Sequence, residues 1–229
     1  MTDLVALAKK LNLAFNNPDL IKAAFVHRSY LNESRAFKES NERLEYLGDA
    51  VLELATSEFL YTKYPSYQEG MLTNLRASLV RTESLAAVAK SLDFPTQLLM
   101  SKGEEATGGR ENSSLLANTF EAFLGALYLD QGIQSCRTLL EKILFPRIDE
   151  IEKSGSYKDS KSLVQEIAQS RFKATPKYIL LEENGPDHSK NFRMVTTIAD
   201  KEYGVGEGKS KQAAQEAAAK KTLELLGST

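Results

Sequence analysis

From Leu4 to about Ile151 apolar residues recur at intervals of three and four, the spacing of helices that bury one face. The recurrent residues are Leu, Ala and Phe, and the pattern breaks at Pro18, Pro65, Pro95 and between Gly103 and Gly109, where helices end or turn. This predicts an all-helical domain over residues 1–152. Through EKSGSYKDS, Glu152 to Ser160, the periodicity lapses and small, polar and charged residues gather, as in a linker centred on 153–157. Over 158–229 the period shortens to two. KYILLEE (Lys177–Glu183), FRMVTTIA (Phe192–Ala199) and EYGVGEG (Glu202–Gly208) alternate as strands do, between a short helix at Ser162–Arg171 and an Ala-rich helix at Ser210–Leu226. The expected architecture is an all-α domain followed by a small α+β domain of the order α-β-β-β-α.

With 229 residues, 42% of them hydrophobic, the chain is long enough to bury two cores. A formal net charge of -2 gives no global sign of a nucleic-acid partner. The charges nevertheless divide unevenly: residues 158–229 hold 12 Lys+Arg against 10 Asp+Glu, and residues 1–157 hold 17 against 21. A single cysteine, Cys136, excludes an internal disulfide, and with only His27 and His188 there is no set for structural zinc. A reducing, cytoplasmic setting is expected. No apolar run approaches about 18 residues, and Asp3 and Lys9-Lys10 interrupt the first one, so neither a secretion signal nor a membrane span is expected.

The most informative stretch is NERLEYLGDAVLEL, Asn41–Leu54. Ser40 or Asn41 can cap a helix here, and Leu44, Leu47, Val51 and Leu54 form its apolar stripe. Glu42, Glu45 and Asp49 fall at i, i+3 and i+7 and so share a face, where stacked like charges repel unless a cation neutralises them. A solvated acidic face would explain that pattern alone. Gly48 costs a helix about 1 kcal/mol relative to Ala, which points to another backbone pressing close. In LLANTFEAFLGALYLD, Leu115–Asp130, Asn118 and Glu121 are spaced i, i+3 within strongly apolar surroundings, where an unpartnered carboxylate is expensive. Packed together, the two helices would join Glu45, Asp49, Asn118 and Glu121 in an all-oxygen cluster suited to Mg²⁺ or Mn²⁺, with Glu69 of YQEGML as an outer member.

ERLEYLGDAVLEL resembles the signature of the ribonuclease III family, and FVHRSY (Phe25–Tyr30), QEGMLTNLRASLV (Gln68–Val80) and LANTFEAFLGALYLD resemble its other blocks in the same order. The resemblance implies a Mg²⁺-dependent endonuclease, with Mn²⁺ able to substitute, that cuts double-stranded RNA as a homodimer and leaves 5′-phosphate and 3′-hydroxyl ends. It implies Glu45, Asn118 and Glu121 as metal ligands, Asp49 and Glu121 as the residues most needed for catalysis, and Glu42 and Glu69 as contacts to RNA or to a second metal. It also implies Tyr46 as an aromatic knob entering the partner subunit, against the alternative of an ordinary core aromatic. One departure stands out: the family more often has aspartate where this chain has Asn118, and an amide brings a neutral oxygen in place of a charged one. His27 is expected to be a hydrogen-bonded structural residue and Cys136 to be buried packing.

The second half is similar to a double-stranded RNA-binding domain. Gln165 and Glu166, on the first helix, would reach ribose hydroxyls in a minor groove, and His188, in the turn NGPDHSK, would reach the next. Lys209 and Lys211 stand where the last helix begins, a place that favours phosphate. GVGEGKS is not a phosphate-binding P-loop, because Tyr203 occupies the position of the required first glycine. Precursor ribosomal RNA and structured messenger transcripts are the substrates the resemblance implies. A duplex-binding regulator whose acidic site no longer cuts is the alternative, supported by Asn118 alone.

Overall fold

In a computed structural model, residues 4–154, 157, 160–186 and 190–227 are described. The chain divides into two compact units, Met1–Tyr157 and Lys158–Thr229.

The first unit contains helices α1 (Leu4–Lys10), α2 (Pro18–Ala24), α3 (Glu42–Lys63), α4 (Glu69–Val80) and α5 (Thr82–Ser91). It continues through α6 (Phe94–Gln97), α7 (Lys102–Ala106), α8 (Ser113–Ile143) and α9 (Ile148–Ser154). Phe25, Phe94, Phe120 and Phe123 are fully buried at its centre, with the Phe25–Phe94 and Phe94–Phe123 ring centroids 4.9 and 5.3 Å apart, edge to face. Cys136 is buried beside this core, its Sγ 3.7 Å from the Leu124 carbonyl, and burial pushes its thiol up to about 12, so no reactive thiolate forms near neutral pH. At Gly132 the α8 backbone turns to φ 77°, a left-handed value that glycine adopts without strain, and the helix kinks there.

Three expectations need correcting. Of the expected stripe of α3, Val51 is buried and Leu44 and Leu47 pack half-buried against the core, whereas Leu54 is 59% exposed and Leu52, Ala55 and Leu60 are buried in its place. Neither proposed cap holds α3 firmly: Ser40 Oγ accepts from the Glu42 N–H at 3.5 Å, and Asn41 gives its side-chain amide to the Ala24 carbonyl at 3.0 Å instead. The stretch expected to be linker includes the end of α9, through Ser154, and Tyr157, which is buried against the first core.

The second unit runs α10 (Ser160–Ile167), β1 (Lys177–Asn184), β2 (Asn191–Ile198), β3 (Lys201–Gly208) and α11 (Lys211–Gly227). The strands form one antiparallel sheet in sequence order. Where a helix to Arg171 was expected, α10 ends at Ile167 and a π-turn over Ala168–Phe172 lets Phe172 pack edge-on to Tyr203 at 6.1 Å. Gly204, Gly206 and Gly208 alternate along β3, and a Cβ at any of them would strike the backbone of α11 at Thr222, Ala218 or Ala214. The glycines of GVGEGKS therefore let an Ala-rich helix lie directly on the sheet, which is why they belong to no phosphate loop.

Candidate active site

The acidic residues are brought together by a glycine crossing. α3 packs on α8 more extensively than any other pair of elements in the first unit. A Cβ at Gly48 would collide with the carbonyl of Glu121, and one at Gly125 with the carbonyl of Leu44, so the two backbones touch at this point. Glu45 and Asp49 flank Gly48 on α3; Asn118 and Glu121 lie on the turns of α8 before Gly125.

Glu121 is pushed up to about 7, first by burial and then by the charges of Asp49, Glu45 and Glu53. Glu45 is raised too, by burial and by Glu42 and Asp49, against the opposing effect of a hydrogen bond to Asn118. The Asn118 amide, at the position where the family more often has an acid, thus bonds to a neighbouring carboxylate. Asp49 and Glu42 are exposed, and Glu42 accepts from Ser40 Oγ at 2.8 Å. The donors available are three carboxylates and an amide, all oxygen, which suits a hard divalent cation. Among the described residues no three His, Cys, Asp or Glu side chains stand as a preformed ligand group, so the acids share a field rather than a closed shell.

Glu69 is not part of this group. It begins α4, accepts from Thr73 Oγ1 at 3.1 Å, and lines a separate apolar groove of about 610 Å³ with Leu54, Tyr61, Tyr67 and Arg76. Tyr46 is 83% exposed on α3, which excludes the core-aromatic alternative within one subunit. His27 takes a structural place: its Nδ1 lies 2.8 Å from Ser29 Oγ, and burial holds its imidazole below the usual value.

In the second unit Gln165 and Glu166 are exposed on α10, and Lys209 and Lys211 are exposed at the start of α11. Ser210 Oγ caps that helix by accepting from the Ala213 N–H at 3.1 Å, and Lys211 Nζ lies 5.8 Å from the centroid of the Phe192 ring. His188 lies outside the described residues.

Residues 17–148 match the Ribonuclease-III-like family, and residues 160–226 the Double-stranded RNA binding motif. Ribonuclease 3 of Geobacillus kaustophilus is 47% identical over 96% of this chain and 89% of its own length, and that of Enterococcus faecalis 44% identical over 96% of both. The chain belongs to the ribonuclease III family. The nuclease domain of ribonuclease III from Campylobacter jejuni superposes with a TM-score of 0.58 at 37% identity, covering 63% of this chain and 99% of that domain. As a ribonuclease III the protein is an endoribonuclease, a hydrolase of double-stranded RNA, with a helical nuclease domain ahead of its RNA-binding domain. Among the described residues no helix is long and apolar enough to cross a membrane.

The sequence reading missed the residues that wall the acidic site from outside the two signature helices. His27, Arg28 and Asn41 line a cleft with Glu42, Glu45 and Asn118. They come from the segment between α2 and α3, held in place by a backbone bridge from Val26 to Leu99 that no local pattern reveals.

Proposed function

We propose that this ribonuclease III cuts both strands of duplex RNA as a homodimer, using a divalent cation held by Glu45, Asn118 and Glu121, and leaves 5′-phosphate and 3′-hydroxyl ends. Mg²⁺ is the proposed ion, with Mn²⁺ as substitute. The observation that carries the reading is Glu121, a carboxylate pressed by burial and by Asp49 and Glu45 until it titrates at about 7. A fold keeps such repelling acids together when a cation relieves them. The cation supplies, when bound, positive charge at the scissile phosphate and an acidified water. Glu45 and Glu121 contribute charge to its site and Asn118 a neutral oxygen, so the ion is held less tightly than by three acids. Asp49 stands beside them as the second residue on which cleavage depends. Glu42, which lines the cleft beside Glu45, and Glu69, which begins α4, are the proposed contacts to RNA or to a second metal.

Pairing about a two-fold axis gives each strand of a duplex its own site. Tyr46 is the proposed knob, and the groove of about 610 Å³ between α3 and α4, walled by Leu54, Leu60, Tyr61, Tyr67 and Leu72, is the proposed socket. The Campylobacter jejuni domain described above was solved with attention to a region involved in dimer formation, in keeping with this arrangement. Gln165, Glu166, His188, Lys209 and Lys211 form the proposed duplex-binding surface of the second unit, which reads shape and 2′-hydroxyls rather than sequence. Precursor ribosomal and structured messenger RNA in the cytoplasm are the proposed substrates.

Cleavage of a long paired RNA with Mg²⁺, with Mn²⁺ and with chelator, beside Asp49→Asn, tests the reading. Cutting that needs the metal and vanishes in Asp49→Asn is expected, and Asn118→Asp should lower the Mg²⁺ concentration required. Duplex binding without cutting under either metal would make the protein a regulator instead.

A further inference from the structure

The cleft beside the acidic group has a volume of about 230 Å³, and Glu42, Glu45, Asn118 and Thr119 meet His27 and Arg28 across it. Every fixed charge among these lining side chains is negative except one. Burial holds the His27 imidazole below its usual value, which leaves Arg28 as the lining cation near neutral pH.

Arg28 is poorly used by the protein itself. Its side chain is 74% exposed, and its ion pair with Glu42 spans 3.8 Å, too long for a hydrogen bond. Its backbone, in contrast, is firmly placed. The His27 N–H donates to the Leu99 carbonyl at 2.9 Å, His27 caps the 3₁₀ turn Arg28–Asn32, and Ser29 Oγ accepts from the Ser101 N–H at 3.0 Å. The Asn41 N–H closes the same segment onto the Val26 carbonyl at 2.8 Å. A hydrogen-bonded backbone thus presents an exposed guanidinium at the mouth of an anionic cleft.

RNA entering this cleft would bring phosphates toward Glu42 and Glu45, and Glu45 is itself coupled to the charges of Asp49 and Glu121. A divalent cation offsets the phosphate it touches; neighbouring phosphates still face carboxylates. We propose that Arg28 clamps a backbone phosphate next to the scissile bond, its planar fork replacing the long contact to Glu42 by two short ones to phosphate oxygens. The inference rests on the nuclease reading above. It makes Arg28 a substrate-contacting residue of the first unit, separate from the lysines of the second.

The experiment uses the full chain and a duplex with one cleavage site, made with an uncharged methylphosphonate at each phosphate flanking that site in turn. Arg28→Ala should lower kcat/KM on unmodified RNA by about 10- to 100-fold while its thermal unfolding stays that of the wild type. Arg28→Lys, which keeps the charge without the fork, should recover part of the loss, and carries the same comparison if Arg28→Ala folds poorly. At one flanking position the methylphosphonate should impair the wild type by a similar factor and Arg28→Ala hardly at all, because both changes delete the same contact. Losses that simply multiply at every position would overturn the proposal, as would full activity in Arg28→Ala. Recovery of activity in Arg28→Ala with Glu42→Gln would also overturn it, since Arg28 would then serve only to neutralise Glu42. A wild type that leaves unmodified RNA intact would remove the nuclease reading and this proposal together, an outcome distinct from the others.

Discussion

Both units of this ribonuclease III use glycine to press one backbone against another, and they use the contact for opposite ends. In the first, Gly48 and Gly125 let α3 and α8 touch, and the crossing gathers the half-buried Glu45, Asn118 and Glu121 beside the exposed Asp49, so that the three carboxylate charges act on each other. In the second, Gly204, Gly206 and Gly208 let α11 lie on β3, and the tight contact turns Ala214, Ala218 and Ala219 inward while Lys209, Lys211 and Lys220 remain outside in water. Close packing that converges acids builds a site for chemistry. Close packing that leaves cations exposed builds a surface for a polyanion, whose affinity comes from many solvated contacts.

The comparison breaks first at its glycines. Gly48→Ala should destabilise the first unit by about 1–3 kcal/mol through overpacking and abolish cleavage with it, because the added methyl meets backbone that cannot rotate away. Gly206→Ala should cost a similar amount but in the second unit, weakening duplex binding while α3 and α8 keep their protection. Hydrogen exchange resolved by segment separates the two outcomes; loss of protection in both units from either change would mean that they are not independent.

A smaller effect is expected from the lysines. Lys209→Ala with Lys211→Ala should weaken binding to every duplex sequence alike, by about tenfold, and flatten its salt dependence by about one unit per lost phosphate contact. An unchanged salt slope would take both residues out of the interface.

An effect of similar size lies in pH. Glu121 titrates at about 7 in the folded chain against an ordinary 4.5, so the folded state binds that proton more tightly than the unfolded state does. Its contribution to stability is complete below about pH 4.5 and is lost as pH rises through about 7. In metal-free buffer, unfolding of the first unit between about pH 5 and 8 should therefore show a loss of about 1–2 kcal/mol that Glu121→Gln lacks, after allowance for partial exposure of the carboxylate. An equal pH dependence in the two proteins would mean that the acids do not repel as described.

Much of this was legible in the chain before any fold was known. The change of period near Lys177 separates helices from strands, because a two-residue repeat can bury only one face of a sheet. Gly48 in a helix, and Glu121 in an apolar run, each break a local rule, and both breaks fall at the candidate site. What stayed hidden depended on distant partners. Leu54 looks like core because helical spacing cannot say which of two apolar faces meets α8 and which lines the groove beside α4. Tyr157 looks like linker because one buried aromatic makes no period. Glu69 looks like a neighbour of the acids although it opens a helix on another groove, and Arg28 reaches the cleft only through the pairing of Val26 with Leu99.

The division of labour between the units is tested most directly by Glu121→Gln in the full chain, with cleavage and duplex binding measured side by side. The account predicts that cleavage falls at least about 100-fold, the scale of losing one preorganised charge at a reacting centre, while duplex affinity stays that of the wild type. Cleavage and binding lost together, with the fold intact, would contradict it.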